Sequence, residues 1–238
     1  MNFDGVNEYI KVNNNTNIDF EGNEPFSLCA WCKLNAIGLT NIIFDKRDAG
    51  GAINEKVNFV CWIDSLNNLS FFIQNNSSNR LYVKNTTITF NTNNYYHVCV
   101  TYDGSRTPNG INMFVNNSSV AVTTVTNTLT LTSKSGGSLG LGAIRIDLGS
   151  SQMFFNGRLD EVSIWNKKLS TSENSEIYNN GKPGNIKKHS AYNNLVSWWR
   201  MGDNAVWNGT SWNIPDLKNT NNGTSFNMEF TDVQTIIP

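Results

Sequence analysis

Charge is scarce in this chain of 238 residues: Asp, Glu, Lys and Arg make up 16%, and 18 basic against 19 acidic residues leave a net charge of −1. That balance excludes both a strongly basic nucleic-acid face and an acidic tail. Histidine occurs only at His97 and His189 and glutamate eight times, so triads, zinc sites and paired-carboxylate chemistry have few residues to draw on. No apolar run reaches the roughly 18 residues of a membrane-spanning helix, so membrane insertion is not expected. Met1 is followed at once by the strand-like Asn2-Phe3-Asp4-Gly5, without a charged leader or apolar h-region, and a soluble chain with no secretory signal of its own is expected. What is plentiful is asparagine, at 40 residues, with 41 Ser and Thr beside it. The 39% hydrophobic and 11% aromatic content, with 7 Trp, argues for a packed core rather than disorder. The asparagines are therefore expected in turns and on strand surfaces.

Cysteine is limited to Cys29, Cys32, Cys61 and Cys99. Cys29-Ala30-Trp31-Cys32 has the spacing of redox and zinc sites, but it lies inside a run that reads as a strand, where positions three apart face opposite ways. All four are expected as thiols acting as small apolar residues.

Period-2 runs dominate. Val57, Phe59, Cys61 and Ile63 alternate with Asn58, Val60, Trp62 and Asp64, and Tyr96, Val98, Val100 and Tyr102 with His97, Cys99 and Thr101. Further strands are predicted at 6–12, 41–46, 69–74, 80–84, 86–90, 111–115, 118–132, 139–144, 154–165, 195–200 and 224–230. About a dozen short strands at this spacing predict an all-β, two-sheet antiparallel sandwich of jelly-roll type. One helix is predicted over 171–179, capped by Ser170 with Glu173 in capping-box register, ended by Gly181 and blocked by Pro183. The whole of 1–238 reads as one domain, because the segment beyond the polar stretch 179–194 is too short to fold alone.

Particular stretches carry a family resemblance. Phe3-Asp4-Gly5 with Tyr9 resembles the opening strand of the laminin-G-like branch of the concanavalin A-like lectin/glucanase superfamily. Phe26-Ser27-Leu28-Cys29-Ala30-Trp31-Cys32-Lys33 resembles a second strand of that family, and His97-Val98-Cys99-Val100-Thr101-Tyr102-Asp103-Gly104, followed by Ile111-Asn112-Met113-Phe114-Val115, a third and fourth. Phe155-Asn156-Gly157-Arg158-Leu159-Asp160-Glu161-Val162 through Trp165 and Ser170 resembles the closing strand and its helix. The resemblance implies a concanavalin A-like sandwich and leaves the ligand open, since this fold hosts many functions. Trp198-Trp199-Arg200-Met201-Gly202-Asp203 and 216–224 resemble elements that precede the opening strand in many relatives, so a circular permutation is expected, with 195–230 completing the sandwich beside the N-terminal strand. The same tail resembles laminin-G-like virion proteins of marine bacteriophages.

Site residues follow from side-chain chemistry. No Glu stands in the Glu-x-Asp-x-Glu pattern of the β-glucan-cleaving relatives, and the adjacent Asp160 and Glu161 are expected on opposite strand faces, so no enzyme is expected. His97 reads as a satisfied histidine within the sheet. In the related glucanases the Asp matching Asp160 helps hold a structural Ca²⁺ against the N-terminal strand, so the resemblance implies calcium at Asp160 and Asp4. For ligand binding, Trp207 and Trp212 near the tip of a hairpin turning at Asn208-Gly209 are candidates for stacking on sugars. The alternative is that both rings fold back onto the sandwich. The Asp45–Gly51 loop, with Asp45 and Arg47, is a second rim candidate, whereas Trp31, Trp62, Trp165 and one of Trp198/Trp199 are expected in the core. The expected function is a non-catalytic binding or structural module, a bacteriophage virion protein (capsid decoration or tail adhesin) that self-associates or joins other virion proteins and meets cell-surface glycans. A secreted extracellular lectin and a polysaccharide-cleaving enzyme are the alternatives.

Overall fold

The computed structural model describes residues 1–48, 55–148 and 153–233. Alternating β-branched and aromatic residues pair into two antiparallel sheets of seven and ten strands, the jelly-roll sandwich that the period-2 runs predict. The first sheet contains β1 (Asn2–Asp4), β3 (Phe26–Leu34), β8 (Tyr96–Tyr102), β9 (Ile111–Val115), β10 (Ser118–Val120), β13 (Asn156–Trp165) and β14 (Leu195–Trp199). Its order is β1-β13-β3-β8-β9-β10, with β14 also paired to β13. The second contains β2 (Tyr9–Val12), β4 (Asn41–Arg47), β5 (Val57–Ile63), β6 (Leu69–Asn76), β7 (Asn79–Asn85), β11 (Val122–Asn127), β12 (Leu139–Leu141), β15 (Val206–Trp207), β16 (Trp212–Ile214) and β17 (Gly223–Phe226). Its order is β11-β7-β6-β5-β4-β12-β2-β17-β16-β15. The C-terminal strands reach both sheets: Trp199 of β14 pairs with Val162 of β13, and Ser225 of β17 with Ile10 of β2.

The main core fills the space between the sheets. Phe26 packs at 5.6 Å from Phe59 and 5.5 Å from Tyr102, ring centroid to centroid, and Trp199 is fully buried in the same cluster. A second apolar layer lies on the outer face of the first sheet. There α1 (Thr171–Tyr178) contributes Ile177, and with Ile186 and Ala191 it packs against Cys29, Cys99, Trp165 and Trp198. Both members of the Trp198/Trp199 pair are thus buried, one in each layer.

Three expectations are corrected. Residues 86–90 form no strand, because Asn85 Nδ2 donates to Thr87 Oγ1 at 2.8 Å while its Oδ1 accepts from Ile88 N at 3.1 Å, turning the chain. The 118–132 run divides at Ala121, with β10 pairing in the first sheet and β11 in the second. Cys29 and Cys99 are not free thiols: they are directly opposed across β3 and β8, with Cα atoms 4.2 Å apart, and form a disulfide. Cys32 and Cys61 remain free and buried, and Cys29 and Cys32 do face opposite layers.

Asparagine sits where left-handed backbone is needed. Seven of the eleven non-glycine positive-φ residues described are Asn, including Asn116 (φ 48°) and Asn117 (φ 64°) at the β9–β10 hairpin. The predicted capping box is present, with Glu173 N donating to Ser170 Oγ at 3.2 Å and Ser170 N to Glu173 Oε2 at 2.8 Å. Asn179, at φ 45°, ends the helix two residues ahead of Gly181.

Candidate functional site

The outer face of the second sheet carries a groove of about 390 Å³. In β5, Phe59, Cys61 and Ile63 point into the core, so period 2 turns Val60 and Trp62 outward. In the same way Leu69, Phe71 and Ile73 of β6, and Leu81 and Val83 of β7, leave Phe72 and Tyr82 on the outer face. The register sets Val60 against Phe72 and Phe72 against Tyr82. Trp62 and Tyr82 stack at 5.4 Å with 27° between their planes, and Phe72 meets Tyr82 edge-on at 6.1 Å. Together these three half-buried rings make an aromatic floor, walled by Ile144 and Met153 and flanked by Arg47 and Arg80.

An ion cluster fixes one side of the groove. Arg47 bonds Asp45 at 2.6 Å and Glu55 at 3.1 Å, and Arg145 bonds Glu55 at 3.1 Å while its backbone N–H donates to Asp45 at 2.8 Å. These contacts tie the chain after β12 to β4 across the face of the sheet. Burial pushes the Asp45 carboxyl above its ordinary range, against the pull of Arg47. Burial also works against the Arg47 charge, but Asp45 and Glu55 outweigh it and hold the guanidinium protonated. Among the described residues no carboxylate lines the groove itself. A polar cleft of about 560 Å³ near Asn17, Lys134 and Lys218 has no exposed aromatic floor, as its one ring, Phe20, is buried.

The predicted site residues are distributed as follows. Asp45 and Arg47 belong to strand β4 rather than a rim loop, and both are buried; Ala49, Gly50 and Gly51 lie outside the described residues. The Trp207–Trp212 hairpin forms, with the two residues paired in register. Trp212 is buried, donates its Nε1–H to Glu229 O at 3.0 Å and is stacked by Phe230 at 5.6 Å, while Trp207 is half-buried against the core. Trp62, expected in the core, is on the outer face instead. Its own alternation with Phe59, Cys61 and Ile63 was the signal that would have found the groove.

Asp4 and Asp160 are not brought together. Asp4 pairs with Asn156, four residues before Asp160 along β13 and so about 13 Å away. Asp4 Oδ1 accepts from Val6 N at 2.7 Å, and Asp160 Oδ1 from Glu161 N at 3.0 Å. Among the described residues no cluster of three or more His, Cys, Asp or Glu could hold a metal ion. The expectation that Asp160 and Glu161 face opposite ways is overturned by a bulge. Leu159 and Val162 both enter the core, so Asp160 and Glu161 are left on the outer side, Glu161 with φ 47°. Glu161 accepts from Trp198 Nε1 at 2.6 Å and Arg200 Nε at 2.8 Å, and the cavity beside Asp160 is only about 10 Å³. Burial pushes both carboxyls upward. His97 is fully buried beside Trp31 and Tyr178 with neither ring nitrogen hydrogen-bonded, and burial lowers its pKa to about 3.

The two antiparallel sheets form a concanavalin A-like jelly-roll sandwich. A family model described as the concanavalin A-like lectin/glucanases superfamily matches residues 4–175, and the chain belongs to that superfamily. Among solved structures, a Bacteroides ovatus protein presumed to bind carbohydrate shares 18% identity over 93% of this chain and 56% of its own, with a TM-score of 0.59. The chain thus spans little more than half the length of that protein. The CBM40 module of the Ruminococcus gnavus IT-sialidase, bound to α2,3-sialyllactose, shares 12% identity over 73% of this chain and 95% of its own, with a TM-score of 0.54. The binding domain of Paraclostridial Mosquitocidal Protein 1 shares 13% identity over 71% and 40%, with a TM-score of 0.51. At these identities the likeness is one of fold. Comparison with curated proteins finds no match.

Proposed function

We propose that the protein is a non-catalytic carbohydrate-binding module and that Trp62, with Tyr82 and Phe72, is its sugar-stacking floor. The observation that carries this reading is the stacked Trp62–Tyr82 pair lining an open groove while five of the seven Trp are buried. An indole face packs against the C–H face of a pyranose, and flanking polar groups orient its hydroxyls. The fold shared with the carbohydrate-binding neighbours supports the reading. Isothermal titration against saccharides that bind a glycan array tests it: Trp62→Ala should abolish binding, and retained affinity would refute the assignment.

A setting outside the cell is part of the proposal, either on a virion surface or as a secreted module. The Cys29–Cys99 disulfide supports an oxidising environment. For the virion setting the test is oligomeric state: light scattering that finds a trimer or larger ring supports it, and a strict monomer speaks against it.

A further inference from the structure

We infer that the groove takes an anionic saccharide, with Arg80 and Lys84 reading its negative charge; the inference rests on the glycan reading of the same groove. Charge around the groove is unevenly spent. Asp45 and Glu55, whose side chains are 1% and 5% exposed, lie beneath the surface and are engaged by Arg47 and Arg145, so those two carboxylates and two guanidiniums cancel. Arg80 is different. It is exposed, it lines the groove, and it stands two residues from Tyr82 on β7, hence on the same face. Lys84 stands two residues to the other side of Tyr82, and the register places it against Ser70, which in turn faces Trp62. Neither side chain has a hydrogen-bond or ion-pair partner among the described residues.

The outer row of β7 is thus cation, aromatic ring, cation, beside the Trp62 ring. In a chain with net charge −1 this strip is a local feature and not a sign of general basicity. A neutral sugar needs only the ring and a few hydrogen-bonding groups, and leaves two unpaired cations unused. A sugar carrying a carboxylate or a sulfate uses both: its ring stacks on Trp62 while its anionic group meets the guanidinium, whose planar fork matches two acceptor oxygens. The free positive strip also draws an anionic ligand into the groove and repels cations.

The test compares ligands that share a core. Lactose, sialyllactose and sulfated lactose, together with oligogalacturonate and its carboxyl-reduced form, are titrated into the wild-type protein, Arg80→Gln, Lys84→Gln and Trp62→Ala, each checked for fold by circular dichroism. The wild type should bind at least one anionic member about tenfold or more tighter than its neutral counterpart. Comparing the sialyl and sulfo forms tells whether carboxylate or sulfate is preferred. Arg80→Gln should remove most of that gap, weakening the anionic member by more than its neutral counterpart, and added salt should narrow the gap in the wild type. Equal binding of neutral and anionic members, abolished by Trp62→Ala, would overturn the charge inference and leave the glycan site standing. A gap that survives both charge-removing substitutions would also overturn it. If no saccharide of either kind binds, the glycan reading itself falls.

Discussion

Trp62 is the residue on which the functional reading turns. It is half-buried on the outer face of β5, and the core behind it is filled by Cys61 and Ile63 rather than by its own ring. Trp62→Ala should therefore abolish saccharide binding while shifting the melting temperature little, because no core cavity opens. Trp212→Ala should do the reverse, since its ring is buried and hydrogen-bonded to Glu229. His97 gives a prediction in pH. Burial lowers its pKa from 6.5 to about 3, so the unfolded chain takes up a proton at higher pH than the folded one. Its contribution is complete above about pH 6.5 and is lost as pH falls from there toward 3. His97→Phe should flatten the stability profile in that window relative to wild type, as read by urea titration at successive pH values; parallel profiles would contradict the assignment. At this scale the sequence was readable for burial and less so for direction. The period of β5 marked Trp62 as opposite to the core residues, yet an indole is so often buried that its size outweighed the alternation.

The elements were easier to read than their ends. Most strands fall where alternation places them, because a half-buried strand leaves a strict two-residue signature. The failures have local causes: Asn85 turns the chain with its own side chain, and Ala121 marks where the chain crosses between sheets. The β13 bulge put Asp160 and Glu161 on one side, and nothing in a run without glycine at the bulge announces a left-handed Glu161. The Cys29–Cys99 bond was hidden because pairing across β3 and β8 depends on register, which single-strand periodicity does not contain. Removing it by the double substitution to Ser should cost about 2–4 kcal/mol, since it spans 70 residues of chain. A midpoint in urea unchanged from wild type would contradict this. The Ser170 cap was fully visible in sequence, and Ser170→Ala should cost about 1 kcal/mol by the same measurement.

For the molecule as a whole, two sheets enclose the main core while one outer face is covered by α1 and the chain that follows it. The other outer face keeps the groove open between the arginine cluster and the outward-facing row of β7. That asymmetry explains why composition alone said little about function. Most of the 40 asparagines and 41 Ser and Thr serve turns and solvent faces, whereas the groove is made by three rings, Trp62, Phe72 and Tyr82, on three successive strands that pairing sets side by side. No helix among the described residues is long and apolar enough to cross a membrane. Whether Trp62 stacks on sugar is decided by side-by-side titration of wild type and Trp62→Ala with an array-selected saccharide. Wild type should bind saturably and a Trp62→Ala protein of unchanged circular dichroism should not bind; equal affinity in the two would exclude Trp62 as the sugar-stacking ring.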